Sequence, residues 1–234
     1  MKNDNAFLRF LKKYAPCYAI LPGLVCILVN FLVYNGNRLL TDGWKHYDLS
    51  LPLDGMIPFL RWTIVFYVLF FPFLAVGYLG VAYEGKQTFY RMATAGLISK
   101  AICLVSFLAL PTFMPDWPSG TFEIKNVFDR LLQLIYDLDE PNDLFPSIHC
   151  LESWLVMRTT CSCKRLPKPY KCAIAVAAVC IMLSTLTIKQ HLLVDMAGGI
   201  LTAELARFLS AKLHGERVFV WLEAKISRKD PAVV

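Results

Sequence analysis

Runs of about twenty residues without a charge, the length that spans a bilayer, recur along this chain and leave it little choice of fold. Residues 16–34, 62–83 and 172–188 carry no charge, and 93–114 is interrupted only by Lys100. Residues 144–157 form a shorter run containing His149 and Glu152. Residues 192–209 follow the fifth run almost at once and contain Asp195, Glu204 and Arg207. A soluble core of this size needs no such runs. The composition agrees, since 56% of the 234 residues are hydrophobic and 18% are charged. Soluble domains average roughly 45–50% apolar and about 25% charged. We therefore expect an all-α integral membrane protein, a bundle of six transmembrane helices forming one domain over residues 1–234. There is no internal repeat and no low-complexity segment.

Between the third and fourth runs lies a polar segment, residues 115–143. Within it Val127, Leu131, Leu132, Leu134 and Ile135 recur at near-helical spacing, which predicts a short amphipathic helix at the membrane interface. Charge sets the orientation. The N-terminus holds Lys2, Arg9, Lys12 and Lys13, and the loop after the second run holds Lys86 and Arg91. The loop after the fourth run, RTTCSCKRLPKPYK, has five cations and no acid. The C-terminal tail adds Lys212, Arg217, Lys225, Arg228 and Lys229. The 115–143 segment instead carries Asp116, Glu123, Asp129, Asp137, Asp139, Glu140 and Asp143 against two cations. With six spans every cationic connection falls on one side, so the positive-inside rule puts both termini in the cytoplasm and the acidic segment outside. This bias accounts for the net charge of +6 without nucleic-acid binding. No cleavable signal peptide is expected, because polar residues rather than a small-residue cleavage site flank the first run. Compact loops and the lack of eukaryotic sorting features point to a bacterial inner membrane.

Most of the eight cysteines lie inside the runs and read as small packing residues. Cys161 and Cys163 form a C-x-C pair in a cytoplasmic loop, but no histidine or second cysteine pair lies near it, so no metal site is expected.

The polar residues inside the apolar runs are more informative. His191 and Asp195, in IKQHLLVDMAGG, are four apart and share one face of a helix. A carboxylate in a membrane helix costs roughly 2.5–3.5 kcal/mol at mid-depth, less near the interface. Alone, the pair reads equally well as a packing hydrogen bond. A second histidine changes this. The stretch NDLFPSIHC brings His149 into the fourth run from the same outer side, so two of the four histidines and one carboxylate converge on one membrane face.

FPSIH resembles the P-S-G-H motif of the type 2 phosphatidic acid phosphatase superfamily, and STLTIKQHLLVD, residues 184–195, resembles its S-R-x5-H-x3-D motif. The motifs stand in the expected order on the expected membrane side. The resemblance implies a metal-independent enzyme, without cofactor, acting on a lipid phosphate in the bilayer. His191 would be the nucleophile that forms a phosphohistidine, and Asp195 would orient it. His149 would protonate the leaving oxygen and later activate water. Ser147, at a helix start, and Lys189 would bind the phosphate.

The sequence departs from the pattern in three places. The first family motif, K-x6-R-P, is missing: the third run ends LALPTFMPDWP, with Asp116 after Pro115, and Lys100 lies too early to complete the motif. Thr185 stands where the third motif has its arginine, and Ile148 replaces the glycine of P-S-G-H. The run IYDLDEPNDLFPSIH followed by KQH and Asp195 resembles the inositol phosphorylceramide and sphingomyelin synthase branch more closely. On that reading Asp139, Asn142 and Asp143 are candidate headgroup contacts, although the acids of this segment, Asp137 among them, also suit plain loop solvation. Three functions remain open: a phosphatase of lipid phosphates or diphosphates, a headgroup phosphotransferase, and a non-catalytic lipid-binding or transport protein. The phosphatase is preferred because water is always available at an outward-facing mouth. The sequence fixes neither the lipid nor the oligomeric state.

Overall fold

A computed structural model describes residues 16–41 and 43–227. The cations Lys2, Arg9, Lys12, Lys13, Arg228 and Lys229 lie outside the described residues. The chain runs back and forth as helices α1 (Cys17–Thr41), α2 (Ile64–Val68) and α3 (Phe70–Glu84), which follow each other as nearly one pass, and α4 (Lys86–Ala109). After α5 (Val127–Leu138) come α6 (Ile148–Ser162), α7 (Lys168–Thr187), α8 (Leu193–Lys212) and α9 (Glu216–Ser227). A two-residue parallel ladder joins β1 (Tyr47–Asp48) to β2 (Thr112–Phe113), with Tyr47 opposite Thr112.

Among the described residues, four stretches are long and apolar enough to cross a membrane: Cys17–Thr41, Arg61–Glu84, Lys86–Ala109 and Lys168–Thr187. α6 falls outside this class because it has only 15 residues, and α8 because it carries Asp195, Glu204 and Arg207 among its 20. Helices α1 and α4 extend well beyond the apolar runs that seed them. α1 continues through Asn37 and Arg38 because these polar residues meet the acidic segment, Arg38 lying 2.8 Å from Glu140. α4 begins at Lys86, directly after Gly85, whose φ of 149° breaks the helix in a region other residues avoid. A helix does form over 127–138, started by a capping box in which Asn126 accepts from the N–H groups of Phe128 and Asp129.

The core is made by α4 and α6 packing among α1, α3, α7 and α8. Val81, Ala93, Leu151, Leu155, Val156, Ala178, Ala203 and Ala206 are sealed within it. The outside of the bundle is apolar too, with Ile27 68%, Phe71 71%, Val105 66% and Leu201 69% exposed. Such a surface is a liability in water and ordinary in lipid. Inside, Lys100 and Glu152 form a 2.5 Å ion pair, and the Tyr78 hydroxyl donates to the other Glu152 oxygen at 3.1 Å. Polar groups so deep are tolerable because they satisfy one another.

The two ends of the bundle differ in charge. At one end Glu84 accepts from the backbone N–H groups of Lys164 and Arg165 (2.7 and 2.8 Å), while Arg91 and Lys86 pair with Glu216 and Glu223 of α9 (2.7 and 2.5 Å). Arg91 pulls the Glu216 carboxyl down to about 2. The cationic connections therefore gather here. At the other end the acidic segment is tied down, Asp129 by Arg61 at 2.9 Å and Asp143 by the Thr41 hydroxyl at 2.7 Å. α9 itself was hidden in a stretch that reads as a cationic tail.

Candidate active site

The acidic end is built around the junction of α7 and α8. α7 stops at Thr187, and the chain reverses through Lys189, which has a left-handed φ of 54°. The Thr185 carbonyl accepts from the N–H groups of both Gln190 (2.9 Å) and His191 (3.1 Å), which fixes the turn that presents His191. The first N–H groups of α8 are held by carboxylates: Leu192 donates to Asp195 Oδ2 and Leu193 to Asp54 Oδ1, each at 2.8 Å. Carboxylates suit this position because a helix N-terminus carries partial positive charge.

α6 meets α8 backbone to backbone. Ser147 N–H donates to the Asp195 carbonyl at 3.0 Å. A Cβ added at Gly199 would lie 2.6 Å from the Ser147 carbonyl, and one at Gly198 would lie 2.4 Å from the Phe145 ring. The adjacent glycines thus allow the approach that brings the two helix starts together.

This approach unites His149, His191, Asp195 and Ser147. His191 Nδ1 lies 3.5 Å from Asp195 Oδ2, short of a full hydrogen bond, which leaves Nε2 directed away from the carboxylate. Asp195 is fully buried and its Oδ1 has no hydrogen-bond partner among the described residues. The ring centroids of His149 and His191 are 5.8 Å apart. His149 is held between Tyr67 and Phe70, each 4.5 Å away by ring centroid. Ser147 is buried and caps α6, its Oγ accepting from Cys150 N–H at 3.3 Å.

The other residues singled out from the sequence go elsewhere. The Lys189 ammonium donates to the carbonyls of Asp54 (2.9 Å) and Ile57 (2.7 Å), so it anchors the 54–57 loop. Thr185, in the arginine position, is buried and returns its hydroxyl to the Met182 carbonyl. Asp139 accepts from the Tyr34 hydroxyl and lies 3.7 Å from Arg38. Asn142 and Asp143, with Arg38, Thr41, His46 and Glu140, line a polar cavity of about 220 Å³ under the end of α1. Burial raises the Asp143 carboxyl above its ordinary value, against the opposing pull of Thr41 and His46. Asp54, Tyr67 and Phe70 join this junction without any signal in the linear sequence. Gln190 also belongs to it, and its one sequence signal is a polar residue between Lys189 and His191.

A family model of the PAP2 superfamily matches residues 53–209, a stretch that holds His149, His191, Asp195 and Asp54. The chain belongs to this superfamily, whose members point to phosphatase-type chemistry. Comparison with curated proteins and with solved structures found no match.

Proposed function

We propose that this protein is a membrane phosphatase that hydrolyses a lipid phosphate or diphosphate at the non-cytoplasmic face, through a phosphohistidine on His191. The observation that carries this reading is the meeting of His149, His191 and Asp195 at the acidic end, opposite the cationic connections. We further propose a single domain of six crossings, with both termini cytoplasmic and α5 lying at the outer interface. A bacterial inner membrane suits this topology.

In the first step His191 Nε2 attacks phosphorus, the phosphorus–oxygen bond to the lipid breaks, and His149 protonates the departing oxygen. Asp195 keeps the His191 proton on Nδ1 and offsets the positive charge that grows on the ring. In the second step His149 takes a proton from water, the water oxygen attacks phosphorus, and the nitrogen–phosphorus bond breaks to release phosphate. The route uses side chains alone.

A second reading, transfer of the phosphoryl headgroup to a lipid alcohol as in the sphingolipid synthase branch, is favoured by the polar cavity. Its Asn142 and Asp143 stand a few residues before His149 and offer contacts to a hydroxyl-rich headgroup, with Asp139 beside them. Purified wild type and His191→Ala, incubated with phosphatidate, polyprenyl diphosphate and phospholipids with or without diacylglycerol or ceramide, separate the readings. Phosphate release by wild type alone supports hydrolysis. A new phospholipid formed only with acceptor supports transfer. Silence of the folded protein across the panel refutes both.

A further inference from the structure

The phosphate site, if it lies at these histidines, is short of cations. Lys189 is bonded to two loop carbonyls, Lys100 is paired with Glu152, and Thr185 fills the arginine position with a short, internally bonded side chain. Next to His191, however, is a polar group without employment. Gln190 is 2% exposed. Its backbone is fixed by Thr185, and its Oε1 accepts from the Tyr67 hydroxyl at 3.4 Å. Its Nε2 is buried with no hydrogen-bond partner among the described residues. The Tyr67 ring in turn packs on His149 with centroids 4.5 Å apart. The amide is therefore linked to one histidine through the chain and to the other through Tyr67.

Buried donors in folded proteins are almost always paired, so an unpaired one calls for a reason. A structural role accounts for Oε1, which accepts from the Tyr67 hydroxyl, but gives Nε2 nothing to do. A ligand that brings its own acceptor supplies the reason. We propose that Gln190 is the phosphate-binding residue of this site, donating from Nε2 to a non-bridging phosphate oxygen, with Tyr67 as the positioning residue that aims it. This rests on the catalytic reading of His149 and His191. It also has a consequence for specificity. An amide offers a hydrogen bond without a charge, whereas a guanidinium offers both. The site therefore discriminates weakly between a doubly charged phosphate monoester and a singly charged phosphodiester.

The test compares dodecyl phosphate, a monoester, with ethyl dodecyl phosphate, a diester, on the full chain in nanodiscs. Gln190→Met removes the donor and keeps the volume. It should lower kcat/KM by about 10- to 100-fold, the range of a hydrogen bond to a charged group, and chiefly through KM. Its melting temperature should fall no further than that of Tyr67→Phe, since each change breaks the same Tyr67–Gln190 hydrogen bond. Gln190→Arg should shift the monoester-to-diester ratio of kcat/KM towards the monoester, and Tyr67→Phe should share the Gln190→Met defect while keeping the ring on His149. Binding of both probes is measured in parallel on His191→Ala with and without Gln190→Met. Weaker binding in the double variant supports Gln190 even if wild type turns over neither probe, in which case only the catalytic reading fails. Equal binding, including none, together with unchanged turnover in Gln190→Met overturns the proposal.

Discussion

Asp195 has two separable jobs at the residue scale. Its Oδ2 accepts from Leu192 N–H and so holds the start of α8, while its charge faces His191 Nδ1. Asp195→Asn keeps an acceptor for Leu192 and removes the charge. It should fold normally and lose about 10²- to 10⁴-fold in kcat, as expected when the partner of a catalytic histidine is neutralised. Asp195→Ala should lose comparable activity and, in addition, about 0.5–2 kcal/mol of stability with the cap. Steady-state rates and thermal melting of the two variants check both statements. At this scale sequence reasoning reaches positions and falls short of directions. His149, His191 and Asp195 are legible because a polar group in an apolar run stands out against its cost. The heading of Lys189 is not, because it depends on a left-handed turn and on carbonyls more than 130 residues earlier in the chain. The same limit hid Asp54, whose partner Leu193 is equally remote.

Helix pairing inside the bundle depends on a few polar contacts as well as on apolar packing. Lys100 of α4 and Glu152 of α6 are each almost wholly buried, so either one alone would be an uncompensated charge. Lys100→Met should therefore destabilise the protein by about 3–5 kcal/mol, and so should Glu152→Met. The double variant should recover most of the loss, since two apolar side chains replace a mutually satisfied pair. Unfolding in detergent, read for both singles and the double, gives the coupling directly. Lys100 is visible in the sequence as an interruption of an apolar run, but its partner is not, because the pairing is set by how α4 lies on α6. α9 escapes for a related reason. Its docking depends on ion pairs to Arg91 and Lys86 and on Phe219 packing against Tyr90, none of which a linear pattern reveals.

Charge divides the whole molecule into two ends, and the candidate site belongs to the acidic one. The apolar exterior fits a lipid setting, and the histidines lie where helix starts meet rather than at the bundle's centre. On the proposed reading, such a position would let a lipid present its phosphate at the interface while its chains stay in the bilayer. The all-helical, membrane-type character is readable from the sequence, since apolar run length is a coarse signal that survives folding, and four of the described stretches are long and apolar enough to cross a membrane. The membership in the PAP2 superfamily agrees with it over residues 53–209. What remains central is the covalent step at His191. The most direct measurement incubates wild type with a ³²P-labelled lipid phosphate, stops the reaction in alkali, and looks for label on the protein. The account predicts a base-stable, acid-labile label that disappears in His191→Ala and accumulates in His149→Ala. Substrate turnover without any such label, or a label that persists in His191→Ala, would contradict it.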